Sequence, residues 1–213
     1  WDAVKAEALA VRESVGLMDL STFSKYDVKG KDAHAFLERI CANRIPAKDG
    51  GIILGHLLNA NGFSESEITV TRLGPEHFYV LSAAVAQLHD LDQLNWRKRD
   101  GEAVTITDIT DAYGVLVLAG PRARDVLSQC TDTDLTNASF RWLTGKEATV
   151  AGVPGVRLLR VNYVGELGWE LHVPMAQMPT VYDALMAAGR PFGIRLFGTY
   201  AMNSLRMEKS YRG

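Results

Sequence analysis

Cysteine is nearly absent from this chain. Its 213 residues hold two, Cys41 and Cys130, far apart and each within a helical pattern. That fits two reduced core thiols better than a disulfide framework. No apolar run approaches the roughly 18 residues a membrane-spanning helix requires. The opening "WDAVKAEALAV" reads as an amphipathic helix, not as a basic segment followed by an apolar one. With a formal net charge of −2 there is no basic stripe, which argues against a nucleic-acid partner. The five histidines, His34, His56, His77, His89 and His172, occur singly, and none has metal-ligand spacing to another His or Cys. The glycines of "GPRARDVL" and "DGGIILG" match neither the dinucleotide nor the P-loop spacing. No G-x-S-x-G occurs, and neither cysteine lies in an electropositive loop, so covalent catalysis is not indicated.

What is present is an ordinary globular composition, 47% hydrophobic and 23% charged, on a chain long enough to bury a sizeable core. Residues 3 to 15 read as a helix, and Leu17 to Val28 as one or two strands ending at Gly30. In "KDAHAFLERICAN", Ala33, Phe36, Leu37, Ile40 and Cys41 form one apolar helical stripe. "SEITVTRL" alternates, and the run after "GPEH" supplies its hairpin partner. Further helices are expected at 84–99, in "RARDVLSQC", in "PTVYDALMAAG" with Gly189 as its C-cap, and at 198–211; strands are expected in "AVTITDITDAYGVLVLAGP" and between 147 and 174. Hairpins interleaved with single helices indicate an α+β class, mainly antiparallel sheets with packed helices. The same order of elements recurs in both halves, as an internal duplication produces, with lobes at about 1–110 and 111–213. "LRMEKSYRG" is helical almost to the last residue, so the chain reads as part of a longer polypeptide.

Two acidic stretches stand out. "NANGFSESEITV" sets Glu65 and Glu67 on one face of a strand, with Ser66 and Ile68 on the other; by spacing alone this is a polar strand edge. "YVGELGWELHVP" sets Glu166 and Glu170 beside Tyr163, Gly165 and Gly168, with no basic neighbour in sequence. It reads either as a surface turn feeding a strand or as a site where a carboxylate accepts from a ligand rich in N–H groups.

Those residues carry a resemblance. "NYVGELGWELHVP" resembles the Y-x-G-E-x-G-[FYW]-E signature of the tetrahydrofolate-binding glycine-cleavage T-protein (aminomethyltransferase) family. "VGLMDLSTFSKYDVKGKDAHAFLERI", "ITDAYGVLVLAGPRARDVL" and "LRMEKSYRG" resemble other family segments, in the same order, from about residue 10 to the end. "QLHDL", "GELGWEL" and "FGTYAMNSLRMEKSYRG" are similar to the folate-binding C-terminal part of dimethylglycine and sarcosine dehydrogenases.

The resemblance implies the two-lobed T-protein fold, incomplete at its C-terminus, and a folate-binding domain with tetrahydrofolate as cofactor. In the dehydrogenase branch this domain captures the one-carbon unit of an N-methyl amine as 5,10-methylenetetrahydrofolate. FAD sits there in a separate N-terminal flavin domain of the same polypeptide, and no flavin fingerprint occurs here. Carried over by position, Tyr163, Glu166 and Glu170 are folate-binding, and Arg206 of the L-R-x-E helix either reaches the ligand or pairs with an acid such as Glu208. The T-protein aspartate assigned the proton-handling role corresponds to Ser66, which cannot act as a carboxylate base. Ser66 is then a folate-binding position and Glu67 the catalytic candidate, with Glu65 as its alternative; otherwise acid–base help is weak, or the site only binds. A non-catalytic folate or regulatory module and an aminomethyltransferase of the glycine-cleavage type stay open. The resemblance implies a cytoplasmic protein in a bacterium and a mitochondrial one in a eukaryote.

Overall fold

A computed structural model describes residues 1–212. It contains α1 (Asp2–Glu13), β1 (Gly16–Asp19), β2 (Ser24–Lys29), α2 (Ala33–Ile40), β3 (Ile52–Leu58), β4 (Ser64–Gly74), β5 (His77–Ser82), α3 (Gln87–Trp96), β6 (Thr105–Asp108), β7 (Tyr113–Ala119), α4 (Ala123–Leu127), β8 (Gly145–Val150), β9 (Val153–Leu159), β10 (Gly168–Pro174), α5 (Met178–Gly189), β11 (Arg195–Leu196) and α6 (Thr199–Glu208). No described helix is long and apolar enough to cross a membrane.

The chain divides into two compact units, and each has one sheet. One unit holds 1–21, 113–142 and 146–213; the other holds 22–112 and 143–145. This differs from a split into 1–110 and 111–213, and the reason is strand pairing. β1 runs antiparallel to β7 and parallel to β11, so the first 21 residues complete the sheet of the later unit.

The duplicated order is visible in the topology. The smaller unit has the sheet β3-β4-β5-β2-β6, and the larger has β11-β1-β7-β10-β9-β8. Strand, helix, three strands and helix follow the same path in each: β2, α2, β3, β4, β5, α3 against β7, α4, β8, β9, β10, α5. Where β6 flanks β2 in one, β1 flanks β7 in the other. Gly30 and Gly120 close the equivalent strands with φ +134° and +133°, and a Cβ at either would strike backbone oxygens, of Ala103 and Ser14 respectively. Only glycine fits such a left-handed close approach.

Alternation sorts the larger sheet into two faces. Leu17, Leu116, Leu118, Leu158, Trp169, Leu171 and Val173 pack with Ala123, Val126 and Leu127 of α4 and with Val181 and Leu185 of α5. Met18, Val117 and Ala119 face the other way, against Val11 of α1 and Ala201 and Leu205 of α6. In the smaller unit, Tyr26, Val28, Ile68, Val70, Phe78 and Val80 pack on the apolar stripe of α2 and on Leu94 of α3.

Some local expectations change. Gly189 is the last helical residue, with φ −81°, and not a left-handed cap. Its missing Cβ makes room for Ile194, and the left-handed turn comes at Gly193. The helix expected from residue 84 begins with a 3₁₀ turn at Ala84–Ala86, and the two-residue β11 has no pattern long enough to be read. Cys41 and Cys130 are both free thiols, and burial pushes both up from the ordinary thiol value.

Candidate functional site

Glu166 lies in the turn between β9 and β10, and its neighbours come from the far ends of the chain. Arg12 of α1 donates from Nη1 to Glu166 Oε1 at 2.8 Å, and Lys209 Nζ lies 3.7 Å from the same oxygen. The charge compensation absent from the local sequence is thus supplied across the fold. Arg12 also donates to the carbonyls of Val164 and Leu205, both at 2.7 Å, and from Nε to Glu208 Oε2 at 2.8 Å. Glu208 is therefore the partner of Arg12 and not of Arg206. Asn162 shapes the turn: its Nδ2 donates to Glu166 O, and its Oδ1 accepts from the amides of Val164 and Gly165. Gly165 has φ +70° and lies against the Lys209 side chain.

Because Arg12 ties α1, α6 and this turn together, its loss leaves two carbonyls and Glu166 Oε1 short of a strong donor. Arg12→Ala is expected to lower stability by about 2–3 kcal/mol, read as a shifted urea midpoint with unchanged slope.

Tyr163 and Arg206 come together. The Tyr163 ring stacks on Tyr211 at 6.1 Å, and the Arg206 guanidinium lies 5.8 Å from the Tyr163 centroid. Arg206 is further held by Asn203 Oδ1 and Tyr211 O, both at 2.7 Å. These bonds fix the C-terminal end of α6.

Glu170 sits within β10, where it pairs with Val117 and Leu159. It therefore points to the face opposite Trp169. Two residues on, His172 shares that face and is fully buried, with Nε2 3.3 Å from Glu170 Oε2. Arg157 pairs with His172 in register, and its guanidinium lies 4.4 Å from the Tyr113 ring centroid. A row of Glu170, His172, Arg157 and Tyr113 thus forms on one face of the sheet. Glu166 and Glu170 each have one carboxylate oxygen engaged, Oε1 and Oε2 respectively. Among the described residues the other side-chain oxygen of each has no hydrogen-bond or ion-pair partner, and a carboxylate oxygen can accept from N–H donors.

In the smaller unit, Glu67 lies on the face of β4 away from the helix-packed core, in register with His56, whose Nε2 is 4.0 Å from Glu67 Oε2. Ser66 pairs with Leu57, is half-buried on the Ile68 side, and donates weakly to Glu67 O at 3.5 Å. A β-bulge interrupts the ladder here, because Leu57 opposes Ser66 while Leu58 opposes Ser64. Glu65 is the extra residue, and the bulge turns it away from Glu67. It accepts from Asn59 Nδ2 at 2.7 Å and lies 4.0 Å from His89 Nε2.

Arg12, Lys209, His172, Arg157 and Tyr113 were not singled out by sequence reasoning. His172 was readable, because two residues along a strand from Glu170 means the same face. The others become neighbours only through pairing of distant segments. Among the described residues, no group of three or more His, Cys, Asp and Glu could hold a metal ion.

Comparison with known proteins places the chain in a family. The chain matches the GCVT N-terminal domain over residues 1–213 and belongs to that family. It is 39% identical over its whole length to mitochondrial dimethylglycine dehydrogenase of Mus musculus, and 34% identical over 99% of its length to mitochondrial sarcosine dehydrogenase of Homo sapiens. It spans about a quarter of those relatives, 24% of each. Among solved structures it is similar to glycine cleavage system aminomethyltransferase T from Bartonella henselae, with TM-score 0.85 and 25% identity, over 99% of this chain and 55% of that one.

Proposed function

We propose that this chain is the tetrahydrofolate-binding domain of a dimethylglycine or sarcosine dehydrogenase-like protein. It captures the one-carbon unit released from an N-methyl amine as 5,10-methylenetetrahydrofolate. The observation that carries this reading is the 39% identity to mitochondrial dimethylglycine dehydrogenase over all 213 residues of the chain, together with the family match. The site fits the cofactor in kind. A pterin offers an amino group and ring N–H, and Glu166 and Glu170 each keep a free carboxylate oxygen, held in place by Arg12 and His172. Tyr163 and Arg206 are folate-binding candidates at that turn, and Ser66 is a further candidate in the smaller unit, carried over by the resemblance alone.

Bound tetrahydrofolate supplies the two nitrogens that accept the one-carbon unit. The chain's own contribution is to orient it, since an iminium or formaldehyde is reactive without activation. Glu67 handles the proton, with Glu65 as the nearby alternative. The flavin and its FAD belong to a domain outside this chain, and the compartment follows the source: mitochondrial in a eukaryote, as the relatives' names state, and cytoplasmic in a bacterium.

Methylenetetrahydrofolate formation by the full-length protein, fed an N-methylated glycine and tetrahydrofolate, tests this. Turnover is expected, and Glu67→Gln is expected to slow it by about a hundredfold with little change in folate affinity. An unchanged rate removes Glu67 from the chemistry. Ser66 at the aspartate position favours a second reading, a folate-binding module without turnover. Folate binding without product formation by the wild-type protein would establish that reading.

A further inference from the structure

A second feature of the larger unit lies on the Trp169 side of the β9–β10 turn. Arg124, Asn137, Trp142, Arg160, Asn162 and Glu166 line a cleft of about 430 Å³, floored by Leu167 and Gly168. Two guanidinium groups converge there on one neutral oxygen: Arg124 Nη2 and Arg160 Nη2 donate to Asn137 Oδ1 at 2.6 and 2.8 Å. Both lie over the Trp169 ring, at 5.8 and 5.6 Å from its centroid. Arg124 Nε is used on Leu135 O, and Arg160 Nη1 on Phe140 O. Arg124 Nη1 and Arg160 Nε make no hydrogen bond within the described chain, and neither arginine has a carboxylate partner. The one acid in the cleft, Glu166, is already neutralised by Arg12 and Lys209. Burial and the neighbouring Arg124 charge push the Arg160 guanidinium down from its ordinary value.

Two like charges brought together without a counter-ion repel, and partial burial strengthens the repulsion. A purely structural tie would need one guanidinium, or a guanidinium with an acid. Planar forks with unused N–H groups match the paired oxygens of carboxylate or phosphate.

We propose that this cleft binds the oxyanion group of a small molecule, a carboxylate or a phosphate, between Arg124 and Arg160. The exposed Trp142 indole at its rim offers an apolar wall for the body of that molecule. This proposal does not rest on the folate reading: its donors, Arg124 and Arg160, are not assigned to the pterin, although Glu166, which lines the same cleft, is.

The test is calorimetric titration of the full-length protein, in low-salt buffer without competing anions, with inorganic phosphate and separately with glutarate. Saturable binding of at least one is expected, and the arm that responds identifies the oxyanion. Arg124→Gln should weaken it by about tenfold or more, as loss of one charge-assisted fork implies. Arg122→Gln should leave it unchanged, since Arg122 pairs with Asp125 outside the cleft. Circular dichroism of both variants guards against misfolding, and Arg124→Lys, which keeps the charge but not the fork, should be intermediate. No saturable binding of either anion overturns the proposal. So does an equal loss in Arg122→Gln, which would mark a diffuse charge effect.

Discussion

Tetrahydrofolate is expected to bind a Glu166→Ala/Glu170→Ala double variant at least about a hundredfold more weakly than the wild-type protein. A charge-assisted hydrogen bond contributes about 1.5–3 kcal/mol, and two carboxylates accepting from ring N–H and amino groups contribute twice that if they act independently. The two acids differ in what their removal disturbs. Glu166 shares Arg12 with Glu208 and two carbonyls, so Glu166→Ala leaves Arg12 three acceptors. Glu170→Ala removes one partner of a buried histidine on a strand at the middle of the sheet. Conservative Glu170→Gln keeps the side-chain volume and one acceptor oxygen and should fall between. Isothermal calorimetry on the full-length protein reads the change, and thermal unfolding shows whether the fold persists. Unaltered affinity in a folded double variant would remove both acids from the pterin site.

Trp169→Ala is expected to cost about 3–5 kcal/mol of stability, the largest loss from any single substitution considered. The side chain is fully buried and packs edge-on to Phe140 at 6.1 Å. It also underlies the Arg124 and Arg160 guanidinium groups. Truncation therefore opens a cavity in the core of the larger unit and removes the surface on which two cations rest. Trp169→Phe should cost much less, because Trp169 Nε1 is buried without a hydrogen-bond partner, so phenylalanine sacrifices no bond there. Urea unfolding separates the two: a small alanine effect would mean that the site collapses around the missing ring.

How far the sequence could be read follows from the range of the forces involved. The stripe of α2 and the alternation of β4 are local patterns, and both elements form where the spacing places them. The antiparallel α+β class and the repeated order followed from the same evidence. The assignment of α1 and β1 to the later unit did not, because it depends on β1 pairing with β7 nearly a hundred residues away. The site divides in the same way. Glu166 and Glu170 stood out by their motif, and His172, two residues on from Glu170, was within reach of strand period but was not singled out. Arg12 and Lys209 could not be read from the neighbourhood of Glu166, since sequence distance hides a salt bridge between the two ends of a chain. At Glu65 the local rule itself failed: alternation puts it beside Glu67, and the bulge at Leu57 and Leu58 undoes that.

Titrating the wild-type full-length protein with tetrahydrofolate by calorimetry is the most direct check on the central claim. Saturable binding at one site per chain is predicted, with heat that disappears when the pterin is replaced by p-aminobenzoylglutamate. A folded protein that takes up no tetrahydrofolate, or that binds the pterin-free fragment equally well, would contradict it.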